Sequence, residues 1–283
     1  MGPISDNASA LPAAATAAAS VPLAAPLPPL LTYHQVRAGA RRYVYAVTPD
    51  QLDAHLRWLA AGGGAGSLAI GFDDAHISVY RAAFPLLTRY GLAATIFAIA
   101  GFSAGRGGYM EWGQLREMAA AGHSIQSHSW SHPFLSQCSP QQLRQELVRS
   151  KRDIEDHLGQ DVSAIAVPGG RWNPAVIAAC AAAGYRRVYT SDPPGVPIVL
   201  PVNSGRAGDC SAAVEVLGRY MARRDTSVPD LAAMSAARYS RSPRQRWRRW
   251  ASRRLRAALG DRLYHQLWRR FSGADQDDIA GPE

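Results

Sequence analysis

Five consecutive residues, His128-Ser129-Trp130-Ser131-His132, carry two imidazoles four positions apart. On a helical turn an i, i+4 pair shares one face, so both rings can converge on one ion. The same pair also serves as two satisfied polar side chains on a helix, and by itself it does not separate the two readings. Upstream, the apolar run Ser67-Leu68-Ala69-Ile70-Gly71-Phe72 ends in two adjacent carboxylates, Asp73 and Asp74. Taken alone, these fit an Asx turn or a helix N-cap. Taken with the histidines they suggest more. Two imidazoles and one carboxylate leave a coordination position open for water, as hydrolytic metal centres require, and the second carboxylate stays free as a base. Pro168-Gly169-Gly170 is either an ordinary turn or a place where backbone N–H groups approach a ligand closely.

Asp74 and His128 lie far apart in the chain, so the fold must bring them together. Leu30 to His34 reads as a short β-like run, and Thr48-Pro49-Asp50-Gln51 as a helix start whose stripe is Leu52, Leu56 and Leu59. Strands are then expected at Leu68 to Phe72, Ala94 to Ile99, Ser124 to Gln126, Ala164 to Val167, Arg187 to Thr190 and near Val199-Leu200. Helices are expected over Ser78 to Tyr90, Glu111 to Ala121, Pro140 to Leu158, Pro174 to Ala183 and Ala212 to Met221. Strands alternating with helices at this spacing argue for parallel βαβ units. Closed into a barrel, such units bring the C-terminal ends of the strands to one face, where both aspartates, both histidines, Pro168-Gly169-Gly170 and Asp192 would meet.

At 283 residues and 47% hydrophobic content the chain can bury a sizeable core. Its formal charge of +9 is concentrated late, with twelve arginines against one acid, Asp261, between Leu231 and Arg270. From Arg241 to Phe271, Trp247, Trp250, Leu255, Leu259, Leu263, Leu267, Trp268 and Phe271 recur among the arginines. This pattern reads either as an amphipathic helix on an anionic membrane surface or as a C-terminal helix packed on the body. Nucleic acid is the least favoured partner, because the body has no recognisable binding motif. Four segments result: an Ala/Pro-rich leader over 1–29, a catalytic body over 30–225, a basic helical tail over 226–272 and an acidic terminus over 273–283. Without a formed secretory signal the expected location is cytoplasmic, peripheral to the inner membrane through the tail, with secretion by a weak signal as the lesser reading. Cys138, Cys180 and Cys210 are too few and scattered for a disulfide framework.

Phe72-Asp73-Asp74, His128-Ser129-Trp130-Ser131-His132 and Val167-Pro168-Gly169-Gly170 resemble the first three motifs of the polysaccharide deacetylases, the carbohydrate esterases with a NodB homology domain. The stretches Phe84-Pro85-Leu86-Leu87, Gly91 to Phe97 and Met110 to Leu115 are similar to the scaffold between those motifs, and the likeness extends from about Leu31 to Arg219. The resemblance implies an α/β fold, a distorted (β/α) barrel, that removes acetyl groups from N-acetylated sugars with a divalent metal, usually zinc. It implies that Asp74, His128 and His132 bind the metal, that Asp73 is the general base, and that the Gly169 N–H helps to hold the oxyanion. Pro168, Gly170, Arg171 and Arg206 would border the substrate.

The later motifs depart from the family pattern. A Leu-x-His near the end of the barrel commonly supplies the proton for the leaving amine, yet no histidine occurs between Tyr185 and Asp261. His34 or His76 is then the candidate acid. Ala166 stands where an arginine usually precedes the third motif, which leaves Arg171 or Arg206 to orient the base. Asp192 resembles a remnant of the fourth motif, and Ala75 replaces the glycine that normally follows the paired carboxylates. The expected activity is metal-dependent N-deacetylation of a polysaccharide, oligosaccharide or lipid-linked glycan. The alternative is a metal-binding pseudoenzyme or carbohydrate-binding protein of the same fold.

Overall fold

A computed structural model describes residues 27–39, 43–63, 68–195, 197–201 and 213–239, together with seven isolated positions between 247 and 267. The chain opens with β1 (Leu30–Tyr33), β2 (Gln35–Val36), β3 (Ala46–Val47) and helix α1 (Pro49–Ala60). Strand and helix then alternate: β4 (Ala69–Phe72), α2 (Phe84–Tyr90), β5 (Thr95–Ala98), α3 (Trp112–Ala120), β6 (Ser124–Ser127), α4 (Pro140–Leu158), β7 (Ala164–Ala166), α5 (Pro174–Ala182) and β8 (Arg187–Tyr189). Last come β9 (Ile198–Pro201), β10 (Ala213–Leu217), β11 (Arg219–Met221) and α6 (Val228–Ser235).

The main sheet has the order β11-β1-β4-β5-β6-β7-β8-β10-β9. Its pairings are parallel except for β9 against β10. β10 and β11 are separated in sequence by Gly218 alone, yet β10 pairs with β8 and β11 with β1. One stretch of chain therefore leaves one end of the strand order and joins the other, which curls the sheet into a distorted barrel. A Cβ at Gly218 would run into the carbonyl oxygens of Asp192 and Pro193, so the crossing depends on the missing side chain.

Alternation along the strands sorts side chains onto two surfaces. Ile70, Phe72, Ile96, Ile125, Ile165 and Val188 join Leu52, Leu56, Leu115, Leu143, Leu147 and Ile177 of the helices in one large core. Leu30, Phe97, Ala164 and Ala166, with Ala69 and Tyr189 against them, form a second, small cluster. The sequence explains α4 well. Ser139 and Gln142 form a reciprocal capping box around Pro140, Leu143, Leu147, Ser150 and Ile154 share the buried face, and Gly159 closes the helix with a φ of 65°.

The helix expected over Ala212 to Met221 is instead the crossing strand β10–β11. Val214 and Val216 are buried while Ala213, Glu215 and Leu217 are only partly covered, a period of two that belongs to a strand. The helix expected from Ser78 begins with a π turn, Val79–Ala83, before α2. Further on, α6 buries Leu231 and Met234 in the large core, and Tyr239 meets Tyr220 edge-on. The seven positions between 247 and 267 are helical, with Trp247 66%, Leu255 53% and Leu263 47% exposed. Most of the expected leader, the rest of the basic tail and the acidic terminus lie outside the described residues. Among the described residues no helix is long and apolar enough to cross a membrane.

Replacing Gly218 by Ala forces a methyl group into the crossing. Overpacking of this kind costs about 1–3 kcal/mol. A urea titration of Gly218→Ala should give a lower midpoint with an unchanged slope, and an unchanged midpoint would mean that the crossing has room to shift.

Candidate metal centre

β4 delivers Asp73 and Asp74 at its C-terminal end, where the Asp73 N–H donates to the Tyr33 carbonyl at 2.9 Å and so extends the pairing with β1. The chain then turns through left-handed backbone at Asp74 (φ 67°) and Ala75 (φ 52°). Glycine adopts this conformation without penalty, whereas alanine costs roughly 1–2 kcal/mol, which gives the glycine expected after the carboxylates its physical reason. The turn is pinned by the Met110 N–H on the Ala75 carbonyl and the Ile77 N–H on the Gly108 carbonyl, both 2.8 Å.

The two histidines follow β6 in a loop rather than on a helical turn. Ser129 (φ 67°) and His132 (φ 65°) are left-handed, and those two reversals, not a helical repeat, bring the rings to a centroid separation of 4.8 Å. His128 Nδ1 lies 2.7 Å from the Ala166 carbonyl, which can only accept, so Nδ1 carries a proton and in the neutral ring the lone pair is on Nε2. That Nε2 is 3.4 Å from Asp74 Oδ1, and His132 Nε2 is 3.6 Å from the same oxygen. Asp74, His128 and His132 each offer one ligand atom, all within 4.8 Å of one another.

Beside them Asp73 is almost wholly buried. Its Oδ1 accepts from Arg219 Nη1 at 2.6 Å, while Oδ2 is 3.8 Å from His128 Nε2 and 3.9 Å from His34 Nε2. Burial alone would raise the Asp73 pKa, but Arg219, then His128 and His34, outweigh it and hold the carboxyl below its ordinary value. Asp74 is also lowered, burial being overcome by the His128 hydrogen bond and by the charges of His34 and His132. His128 shifts upward, because Asp73 and Asp74 together exceed the effect of its burial. For His34 burial dominates and its pKa falls, although both aspartates pull it upward.

The two candidate acids are placed differently. His34 stacks on Tyr45, with centroids 4.9 Å apart and ring planes at 15°, and its Nδ1 has no hydrogen-bond partner among the described residues. His76 uses Nε2 on Arg37 Nη2 at 2.9 Å and Nδ1 on Ser78 Oγ at 2.8 Å, so both its nitrogens are engaged outside the cluster. Pro168–Gly170 forms one 3-10 turn after β7, with Gly169 (φ 60°) and Gly170 (φ 64°) both left-handed. The Arg171 guanidinium lies 3.9 Å over the Phe134 ring, and Asp192 accepts from Trp172 Nε1 at 3.0 Å. Arg206 lies outside the described residues.

The arginine on the base is Arg219, the first residue of β11. Sequence reasoning passed over it in favour of Arg171 and Arg206. Even read as an alternating strand, Val214-Glu215-Val216-Leu217-Gly218-Arg219-Tyr220 puts Arg219 on the face of Glu215 and Leu217, opposite Val214, Val216 and Tyr220, so its burial comes from the closure of the sheet and not from the strand pattern.

Residues 61–188 match the sequence profile of the family described as polysaccharide deacetylase. A putative polysaccharide deacetylase of Bacillus subtilis, YxkH, is 31% identical over 58% of this chain, which spans 64% of that relative's length. A chitooligosaccharide deacetylase of Sinorhizobium fredii is 30% identical over 53% of the chain and 71% of its own length. The chain belongs to the polysaccharide deacetylase family. Among solved structures, the Streptococcus pyogenes deacetylase PplD superposes with a TM-score of 0.63 at 25% identity, covering 74% of this chain and 97% of PplD. The family profile begins after α1 and ends before β11, so it includes Asp73, Asp74, His128 and His132 but neither His34 nor Arg219.

Removing one partner of a buried ion pair strands the other, at about 3–5 kcal/mol. Arg219→Met should therefore lose stability on that scale in urea unfolding, and Asp73→Asn/Arg219→Met should regain a substantial part of it. Equal stability of the single and double variants would mean that the pair is not coupled.

Proposed function

We propose that this protein hydrolyses the N-acetyl group of an amino sugar in a polysaccharide, oligosaccharide or lipid-linked glycan. A divalent ion, zinc by first choice, would be held by Asp74, His128 and His132. The observation that carries this reading is the juxtaposition of that triad with a separate carboxylate, Asp73, which Arg219 keeps ionised. Two imidazole nitrogens and one carboxylate oxygen form a donor set suited to zinc with a position left open, and the Ala166 carbonyl fixes the His128 tautomer that such binding needs. When bound, the ion supplies Lewis acidity that polarises the amide carbonyl and makes a water easier to deprotonate.

The chain's own groups would do the rest. Asp73, ionised at neutral pH because its pKa is lowered, removes the proton from the attacking water. Arg219 orients that carboxylate and balances its charge. His34, whose Nε2 lies 3.9 Å from Asp73 Oδ2, is placed to pass the proton that Asp73 takes from the water on to the departing amine nitrogen. We assign the Gly169 N–H to the developing oxyanion, and Pro168, Gly170 and Arg171 to the border of the sugar site. Two names among the relatives support the chemistry. The Sinorhizobium fredii protein is called a chitooligosaccharide deacetylase, and PplD was solved with acetate, the acid that N-acetyl hydrolysis releases.

The test is acetate release from N-acetylated oligosaccharides, with metal content measured alongside. Release should stop with a chelator and return with zinc. Asp73→Asn should retain metal and lose activity by at least ~100-fold, the usual range for a lost general base. His34→Ala should fall by a similar factor while His76→Ala stays near wild type. The reverse order of the two histidine variants would exchange their roles, and bound metal without release from any glycan would favour a binding protein over an enzyme.

A further inference from the structure

His132 reaches Asp74 only because the loop carrying it holds a conformation that serine and histidine do not readily adopt. Ser129 and His132 both have positive φ, and such backbone persists only where its surroundings fix it. Most of the groups that fix it come from α4. Glu146, half-buried on that helix, accepts from the Trp130 N–H at 2.9 Å and the Ser131 N–H at 2.8 Å through Oε2, and from the Ser131 hydroxyl at 2.6 Å through Oε1. One helical turn on, Ser150 Oγ donates to the Ser129 carbonyl at 3.0 Å and meets Ser127 Oγ at 2.8 Å. A turn beyond that, Asp153 accepts from Trp130 Nε1 at 3.1 Å. These residues, at i, i+4 and i+7, form one stripe of α4 facing the loop.

We propose that Glu146 is a positioning residue for the metal centre. Its carboxylate gathers the two successive N–H groups between Ser129 and His132 and so sets the direction in which His132 presents Nε2. The inference rests on the reading that Asp74, His128 and His132 hold a divalent ion. Glu146 is assigned no contact with that ion or with substrate. Three properties fit the role. Hydrogen bonds to a carboxylate are the strong ones, the bonded groups immediately precede a ligand, and the opposite side of the loop is closed by the Gly101 N–H on the Trp130 carbonyl at 2.9 Å. A Cβ at Gly101 would overlap that carbonyl, so the loop is gripped from both sides with little room to settle elsewhere.

The experiment is cobalt binding to the full-length, metal-stripped protein, followed by competition with a chelating dye and by the visible absorption of bound cobalt. Urea midpoints of the stripped forms serve as the folding control. Glu146→Ala, and Glu146→Asp, whose shorter side chain falls short of the loop, should weaken cobalt affinity ~10–100-fold, the range for a lost partner behind a metal ligand, and alter the absorption envelope. Glu146→Gln, which keeps an oxygen for the two N–H groups and an amide to meet the Ser131 hydroxyl, should stay within a few-fold of wild type with the same spectrum. Wild-type affinity and spectrum in Glu146→Ala would overturn the proposal, as would Glu146→Gln failing as badly as Glu146→Asp. Wild-type protein that takes up no cobalt would overturn the metal reading, and this inference with it. Should Glu146→Ala not fold, the Asp and Gln variants carry the same comparison.

Discussion

A carboxylate removed from water raises its own pKa until it is neutral unless a fixed positive charge stands against it. Asp73 has such a charge in Arg219, and much of the molecule's geometry serves that contact. Asp73 leaves the end of β4, while Arg219 begins β11 beside β1. The arginine's Nε is held by the Thr190 carbonyl at 3.0 Å and its N–H by the Asp192 carbonyl at 2.8 Å. Its guanidinium lies 5.7 Å from the Phe97 ring centre, above the small inner cluster. The arginine is thus held at its backbone and along its side chain before it meets the base. The closure at Gly218 brings it there, so the curl of the sheet and the ionisation of Asp73 depend on one crossing.

The described residues contain five non-glycine positions with positive φ, and four of them, Asp74, Ala75, Ser129 and His132, lie in the two ligand loops. Each is held by contacts from other elements. Residues 108–110 hold the aspartate turn, and residues 100–101 with α4 hold the histidine loop. Backbone of this kind costs about 1–3 kcal/mol per residue, and the hydrogen bonds around it offset that cost while fixing where the ligand atoms point. The parallel sheet accounts for the rest of the convergence, since β1, β4, β6, β7 and β8 end on the same side.

The sequence was legible where local chemistry and periodicity agree. Thr48 announces α1 through a cap that the structure contains, and the apolar run Leu68 to Phe72 places Asp73 at a strand end. It was less legible where conformation depends on distant partners. The four-residue spacing of His128 and His132 suggests a helical turn, yet the loop reverses because Glu146, Ser150 and Gly101 hold it, and none of these is near it in sequence. Ala212 to Met221 was open to a helical reading because Ala, Glu, Leu and Met favour helices, whereas pairing with β8 and β1 imposes a strand. Arg219 was hidden by the same misreading, since an arginine on a helix is usually a solvated side chain. At the described tail positions Trp247, Leu255 and Leu263 are largely exposed.

The crossing at Gly218 also bears on the order in which the molecule can be made. A chain emerging from the ribosome presents its amino-terminal part first. Asp73, Asp74, His128 and His132 are all translated before the residue that neutralises the base. Until β11 is synthesised and laid beside β1, Asp73 lacks its counter-charge, and the nascent barrel has an unpaired edge along β1 where Arg219, Tyr220 and Met221 will bind. Charge balance at the centre and closure of the sheet thus become one late folding event, and a chain stalled short of β11 would carry the paired aspartates and both histidines without a finished centre.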